Sequence, residues 1–304
     1  MNMNSFFKIN LFFIVSLFSQ TNIIVEWEEI ELNLPHLRSE WIPNHTELFL
    51  SNDNQSNCFI FNPLPGETTL FNIPYLNAFN AKWSPNGKFV LILKTKYNQK
   101  RRMNSLILVD QNGVVLNTII DFTIKKILPV GWSGNNSLHY LLDNKLKSYS
   151  TENKNLEWNH PIVYAIGNTL FKKDNPTSAV ILKQFSSNIL NLSTSYSTNL
   201  IAFEIYGGSL FSFDLLTGKY QGIGVGNAPS ISPSGDYILF MRLKDNGYEL
   251  TDGDIFKWDK DSDSISQLTN TDDQIEMNPS ISSDGQFISI TIYPQGELII
   301  GTIQ

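Results

Sequence analysis

The chain has 304 residues, a formal net charge of −7, 17% charged residues and 12% aromatics. An acidic chain without a basic stripe is excluded from the nucleic-acid binders, which need positive charge to displace counterions. So low a charge content favours sheet and turn over long exposed helices, and length alone allows about two domains.

The N-terminus reads as a targeting segment. Lys8 precedes the apolar residues 9–18 (INLFFIVSLF), and Ser19, Gln20 and Thr21 follow. A positive start, an apolar core of this length and a small polar exit form a secretory signal peptide. The expectation is a signal over residues 1–20, cleaved near Ser19 or Gln20, and a single domain over 21–304. The run is short for a membrane span; the alternative is a buried strand of the fold. Cys58, in CFIF, is the only cysteine. It allows no intrachain disulfide and reads as a buried, inert thiol. No cysteine follows the apolar run where a lipid would be attached, so a soluble periplasmic or extracellular protein without a transmembrane anchor is expected.

A lone strand pattern at 23–32 (IIVEWEEIEL) comes next, and then a repeat begins. Its clearest copies are Trp83-Ser84-Pro85-Asn86-Gly87, Ile231-Ser232-Pro233-Ser234-Gly235 and Ile281-Ser282-Ser283-Asp284-Gly285, each leading into a β-rich run. Pro presets the first turn position and Gly takes the φ > 0 that ends it. Weaker copies start at Trp41, Trp132 and Tyr196. After most anchors a strand ends in Asp or Asn (Asn62, Asp110, Asp214, Asp259) before a turn and another strand. Such side chains bond the backbone two residues on and close the turn.

One unit is therefore four antiparallel strands in roughly 40–50 residues, the proportions of a propeller blade. The expectation is an all-β propeller of four-stranded antiparallel blades, seven favoured and six possible. The count depends on whether IVYAIG, TLFKK and SAVILKQF, between Trp132 and Tyr196, form a degenerate three-stranded blade. The last copy supplies only three strands, so 23–32 is expected to complete it and close the ring.

The stretch PSISPSGDYILF…DGDIFKWDKDSDSISQLT resembles the TolB-type, WD-repeat-like propeller family of bacterial extracytoplasmic proteins. It shares that family's Ser-Pro-x-Gly turn, Asp-Ile-aromatic strand and closing Leu-Thr. The resemblance covers nearly all of the mature chain, strongly in three blades. It implies a propeller and says little of ligands, since one fold hosts many functions. The pattern leaves no room for TolB's preceding α/β domain or for the following hydrolase domain of propeller peptidases, so a free-standing ring is expected.

Sites of chemistry are sparse. Gly131-Trp132-Ser133-Gly134 has the look of a nucleophile elbow but lacks its final Gly and its helix, so it reads as a structural turn. Asp259, Asp261 and Asp263 alternate like the start of a calcium loop, with Ser264 and Asn270 where Gly and Glu belong; they read as a hairpin turn. Gly222, Gly224 and Gly226 fail the dinucleotide context. His36, His45, His139 and His160 form no close ligand pair. No catalytic residue, cofactor or metal is expected.

Two insertions in equivalent slots remain. KTKYNQKRRMN carries Lys94, Lys96, Lys100, Arg101 and Arg102 around Tyr97. RLKDNGYELTDGD carries Asp245, Glu249, Asp252 and Asp254 around Tyr248. Both are expected as long loops on one face, opposite the Ser-Pro-x-Gly turns; binding residues concentrate on such loops. The alternative is two solvated insertions. The functional expectation is an exported, non-enzymatic scaffold of the cell envelope. It would bind a protein or peptide through Lys94, Tyr97, Lys100, Arg101, Arg102, Asp245, Tyr248, Glu249 and Asp252. The rival is a propeller lyase or hydrolase with a site in the central channel.

Overall fold

A computed structural model describes residues 9–11, 25–30, 38–52, 57–63, 66–152, 155–195, 197–272 and 274–303. Strands β1 (Ile9–Leu11) and β2 (Val25–Ile30) precede the first blade, β3–β6 (Arg38–Trp41, Leu48–Ser51, Cys58–Asn62, Glu67–Leu70). A second blade follows as β7–β10 (Leu76–Trp83, Phe89–Asn98, Arg101–Asp110, Val115–Thr123). Next come two three-stranded sheets, β11–β13 (Ile127–Gly134, Ser137–Leu142, Lys145–Ser150) and β14–β16 (Ile162–Ile166, Thr169–Lys173, Val180–Gln184). The chain then forms β17–β20 (Ile189–Thr194, Leu200–Ile205, Ser209–Asp214, Tyr220–Val225) and β21–β24 (Asn227–Ile231, Tyr237–Asp245, Leu250–Asp259, Ser264–Gln267). It ends with β25–β27 (Ile275–Ile281, Phe287–Tyr293, Glu297–Ile303), to which β2 adds as a fourth strand.

The architecture is a propeller with five four-stranded blades, which corrects the expected count of seven or six. The segment between the second blade and β17 makes two three-stranded sheets instead, and IVYAIG, TLFKK and SAVILKQF do form one of them. The missing fourth strands have local causes. After β13 the chain is bound to the neighbouring turn: Glu157 N–H donates to Ser137 Oγ (2.6 Å), and Asn159 and His160 N–H donate to the Ser133 carbonyl. After β16, Phe185 turns inward against Phe203, Phe211 and Tyr220, and β17 begins four residues later.

Each repeat turn is built alike. Gly87, Gly235 and Gly285 hold φ of 68°, 76° and 74°, and their N–H groups donate to the carbonyls of Ser84, Ser232 and Ser282 at 2.9 Å each. The serine hydroxyls are buried and accept the N–H of Phe89, Tyr237 and Phe287 at 3.0, 3.2 and 2.9 Å. The repeated serine thus closes the hairpin from inside, a role that its position in the motif did not reveal. At Gly87 a Cβ would also come within 2.4 Å of the Pro43 carbonyl oxygen in the preceding blade, so only Gly fits there.

Hydrophobic clusters join consecutive sheets around the ring. Trp132, fully buried, stacks on Phe89 and donates Nε1–H to the Lys82 carbonyl at 2.9 Å. Phe49 meets the edge of Trp83 at 5.5 Å. Leu298 and Ile300 of the last blade pack with Trp41, Leu48, Leu50 and Phe61 of the first, which closes the circle. Strand β2 covers the open side of β27 from Val25↔Ile303 to Ile30↔Leu298. Strand β1 pairs outside it, Ile9 opposite Ile30. The rest of the apolar run and the expected cleavage site lie outside the described residues, as do Tyr196 and His36.

Candidate functional site

Strand order assigns two distinct faces. The Ser-Pro-x-Gly turns and the Asp turns lie on one; the hairpins joining second to third strands, and the links between blades, lie on the other. The two insertions belong to this hairpin face, but neither is a loop. β8 and β9 stay paired out to Asn98↔Arg101, with Gln99 and Lys100 at φ of 46° and 64° as a two-residue turn. Left-handed geometry at both central residues matches the natural strand twist. β22 and β23 stay paired out to Asp245↔Leu250. Its tip is closed by Asp245 Oδ1, which accepts Gly247 N–H, and by Asn246 Oδ1, which accepts Tyr248 and Glu249 N–H. The expected long loops are therefore ribbons, because each extension stays paired: β8–β9 without a break in register, β22–β23 with a single shift between Lys244 and Asp245.

In the basic ribbon, Lys94 and Lys96 place Nζ 5.7 and 4.1 Å from the Phe122 ring centre. Arg102 Nε donates to Asn104 Oδ1 at 3.3 Å, and Tyr97 faces Arg102 across the ladder. In the acidic ribbon, Asp252 pairs with Lys244, and Glu249 is exposed. The two ribbons stand on different blades, and no described hydrogen bond or ion pair joins them.

Tyr97 is 72% and Tyr248 98% exposed. The structure adds others that sequence reading missed. Tyr206 is 74% exposed at the β18–β19 turn, Tyr75 is 59% exposed at the link into β7, and Tyr293 stands at the end of β26. All five exposed tyrosines among the described residues therefore lie on the hairpin face. The missed signal was positional: each sits where a second strand ends or a first strand begins.

The channel between the inner strands is polar. A space of about 260 Å³ is walled by Arg38, Glu40, Asn80, Lys82, Asn191 and Asn278, among others. Glu40 opens onto the channel but is ringed by strands; that enclosure raises its carboxyl, against the charges of Lys82 and Arg38. Nearby, the buried Glu204 accepts Asn191 Nδ2 (2.7 Å), Asn227 Nδ2 (3.1 Å) and Ala228 N–H (2.6 Å). It thereby pins two inner-strand bulges where Asn191 and Ala228 take φ of 43° and 49°.

Ser133, in the elbow-like phrase, lies 2.8 Å from His139 Nε2. The pair is not a nucleophile with its base. Ser133 donates its proton to the Glu157 carbonyl, so His139 Nε2–H must donate to Ser133 Oγ, while Nδ1 faces Ser148 Oγ at 2.8 Å. Both side chains are fully buried. Asp259 Oδ1 accepts Asp261 and Ser262 N–H, and Asp263 accepts Trp258 Nε1–H at 2.9 Å, so the aspartate triplet serves a hairpin. Gly222 and Gly224 lie in the outer strand β20, with no helix following as a dinucleotide site would need. Among the described residues no group of three or more His, Cys, Asp and Glu is placed to hold a metal ion, and no helix is long and apolar enough to cross a membrane.

No family model matches the chain, and no curated protein matches it in sequence. Among solved structures it is similar to the C-terminal WD40 domain of Sif2, with a TM-score of 0.58 over 93% of this chain and 92% of that one, at 13% identity. The fold is a WD-repeat-like β-propeller. At that identity the likeness speaks for the fold and leaves the site to the residues themselves.

Proposed function

We infer that this protein is a non-enzymatic propeller of the TolB type that is exported and binds a protein or peptide partner through its hairpin face. The observation that carries the reading is the gathering of Tyr75, Tyr97, Tyr206, Tyr248 and Tyr293 on that one face. Tyrosine offers a large amphipathic surface with little side-chain entropy to lose, which is why it is enriched at interfaces. A paired strand holds Tyr97 and the hydrogen-bonded tip of the second ribbon holds Tyr248, so little backbone order is lost on docking. The flanking charges, basic at Lys94, Lys100, Arg101 and Arg102 and acidic at Asp245, Glu249 and Asp252, would steer encounter with a partner of complementary pattern. The WD40 likeness supports the scaffold reading because it is a likeness of the ring alone. Export is supported by Lys8 and the apolar residues 9–18, with the periplasm or the cell exterior as destination.

The test is capture of partners from the native envelope with the mature protein, beside a Tyr97→Ala/Tyr248→Ala variant that gives the same urea melt. Partner recovery should fall at least tenfold, and association should slow as salt rises. Full recovery by the variant refutes the face, and an intact Met1 in the native protein refutes export.

A further inference from the structure

One part of the hairpin face holds two buried carboxyl groups whose hydrogen-bonding capacity the fold only partly fills. β23 and β25 meet in a single parallel bridge, Gly253 opposite Ile275, which fuses two blades into one sheet. A Cβ on Gly253 would lie 2.8 Å from Ile275 Cγ2 and 2.8 Å from Leu243 Cδ2, so the approach needs glycine. The bridge places the next residues, Asp254 and Glu276, side by side. They are 7% and 2% exposed and share Thr271: its backbone N–H bonds Asp254 and its Oγ1 donates to Glu276 Oε1 at 2.6 Å. Asp254 also takes a hydrogen bond from the Gln267 side chain. Among the described residues, Asp254 Oδ1 and Glu276 Oε2 are buried without a hydrogen-bond partner. A buried carboxylate oxygen left unpaired is costly, and such an oxygen calls for a water, an ion or a ligand donor.

Asp254 lines a cavity of about 590 Å³ with Arg242, Asp252, Phe256, Gln267 and Asp272. The cations at its wall are already engaged. Lys244 pairs with Asp252. Arg242 donates Nε–H to the Val225 carbonyl at 2.9 Å and lies over Phe256 at 4.4 Å. Asp252, Asp254 and Asp272 face Lys244 and Arg242, whose carbonyl and ring partners are neutral, so the wall carries one more acidic than basic group; among the described residues no three His, Cys, Asp or Glu are placed to hold a metal ion. Arg242 shows that this wall accommodates a flat guanidinium.

We propose that this cavity receives the guanidinium of an arginine side chain from the partner, held by Asp254. The proposal rests on the reading of the hairpin face as a protein-binding surface and names the chemistry recognised beside Tyr248. A planar fork of donors suits a carboxylate with a free oxygen better than a point charge does.

The probe is Nα-acetyl-arginine amide, with its neutral citrulline counterpart as control, titrated into the mature protein and followed by ¹H–¹⁵N NMR. The arginine compound should bind at least tenfold more tightly than citrulline and shift the amides of residues 252–256 and 270–272. Asp254→Asn, shown by urea melt to be folded, should lose that preference. Equal binding of citrulline, binding retained by Asp254→Asn, or shifts elicited by calcium chloride but not by arginine would each overturn the proposal. Partner capture by the tyrosine variants is read separately, so the pocket can fail while the face stands, and the reverse.

Discussion

Replacing Glu276 by Gln should make the protein more stable at pH 8 and leave it unchanged at pH 4.5. Burial pushes the Glu276 carboxyl from 4.5 up to about 7; the Thr271 hydroxyl opposes this and the charges of Asp254 and Asp252 add to it. Between those values the folded chain holds a proton that the unfolded chain has released. The resulting stability is complete below pH 4.5 and is lost as pH rises through 7. A displacement of that size corresponds to about 3 kcal/mol, and Gln, neutral throughout, escapes the loss. His139 acts in the opposite sense. Burial first, then the charge of Lys173, lowers it from 6.5 to about 4. Its contribution is complete above pH 6.5 and is lost as pH falls through 4. The two slopes nearly cancel in the natural chain between pH 4.5 and 6.5, and Glu276→Gln uncovers the histidine's. Urea unfolding from pH 4.5 to 8.5 provides the assay, read as midpoint and m-value for both proteins. A variant no more stable than the natural protein at pH 8, or equally advantaged at both ends, refutes the reasoning.

Two further outcomes follow from the ring. Ser232→Ala removes the acceptor of the Tyr237 N–H inside a closed turn and should cost about 1–3 kcal/mol in a urea melt; no loss would mean that the serine does not close the hairpin. A chain starting at Pro35 lacks β2 and bares the edge of β27, so it should aggregate on concentration by light scattering; a monomer of unchanged heat stability would show that the N-terminal strand does not seal the ring.

The sequence by itself determined the local grammar of this protein. The Ser and Gly of each clear turn, the Pro of two of them and the Asp or Asn at each later turn act on backbone groups close by in the chain, so their pattern can be read without the rest of it. Alternating strands between those marks specify four-stranded units, and the unpaired 23–32 run pointed to the strand that joins β27. Tertiary structure decided what depends on distant partners. The Phe185 side chain packs into the next blade's core while its backbone stays bonded to Asn168, and Ser133 and Ser137 bind the chain after β13; neither sheet gains the fourth strand that the repeat period alone would supply. The strand ladder, not the turn composition, converts the two charged insertions into ribbons. Tyr75, Tyr206 and Tyr293 share a face with Tyr97 and Tyr248 only because successive strands reverse direction around a closed ring. Asp254 and Glu276, 22 positions apart, meet because Gly253 lets two blades touch. Turn chemistry is a contact between near neighbours and is written locally; the face and the carboxyl pair are contacts across the ring, set only when the ring closes.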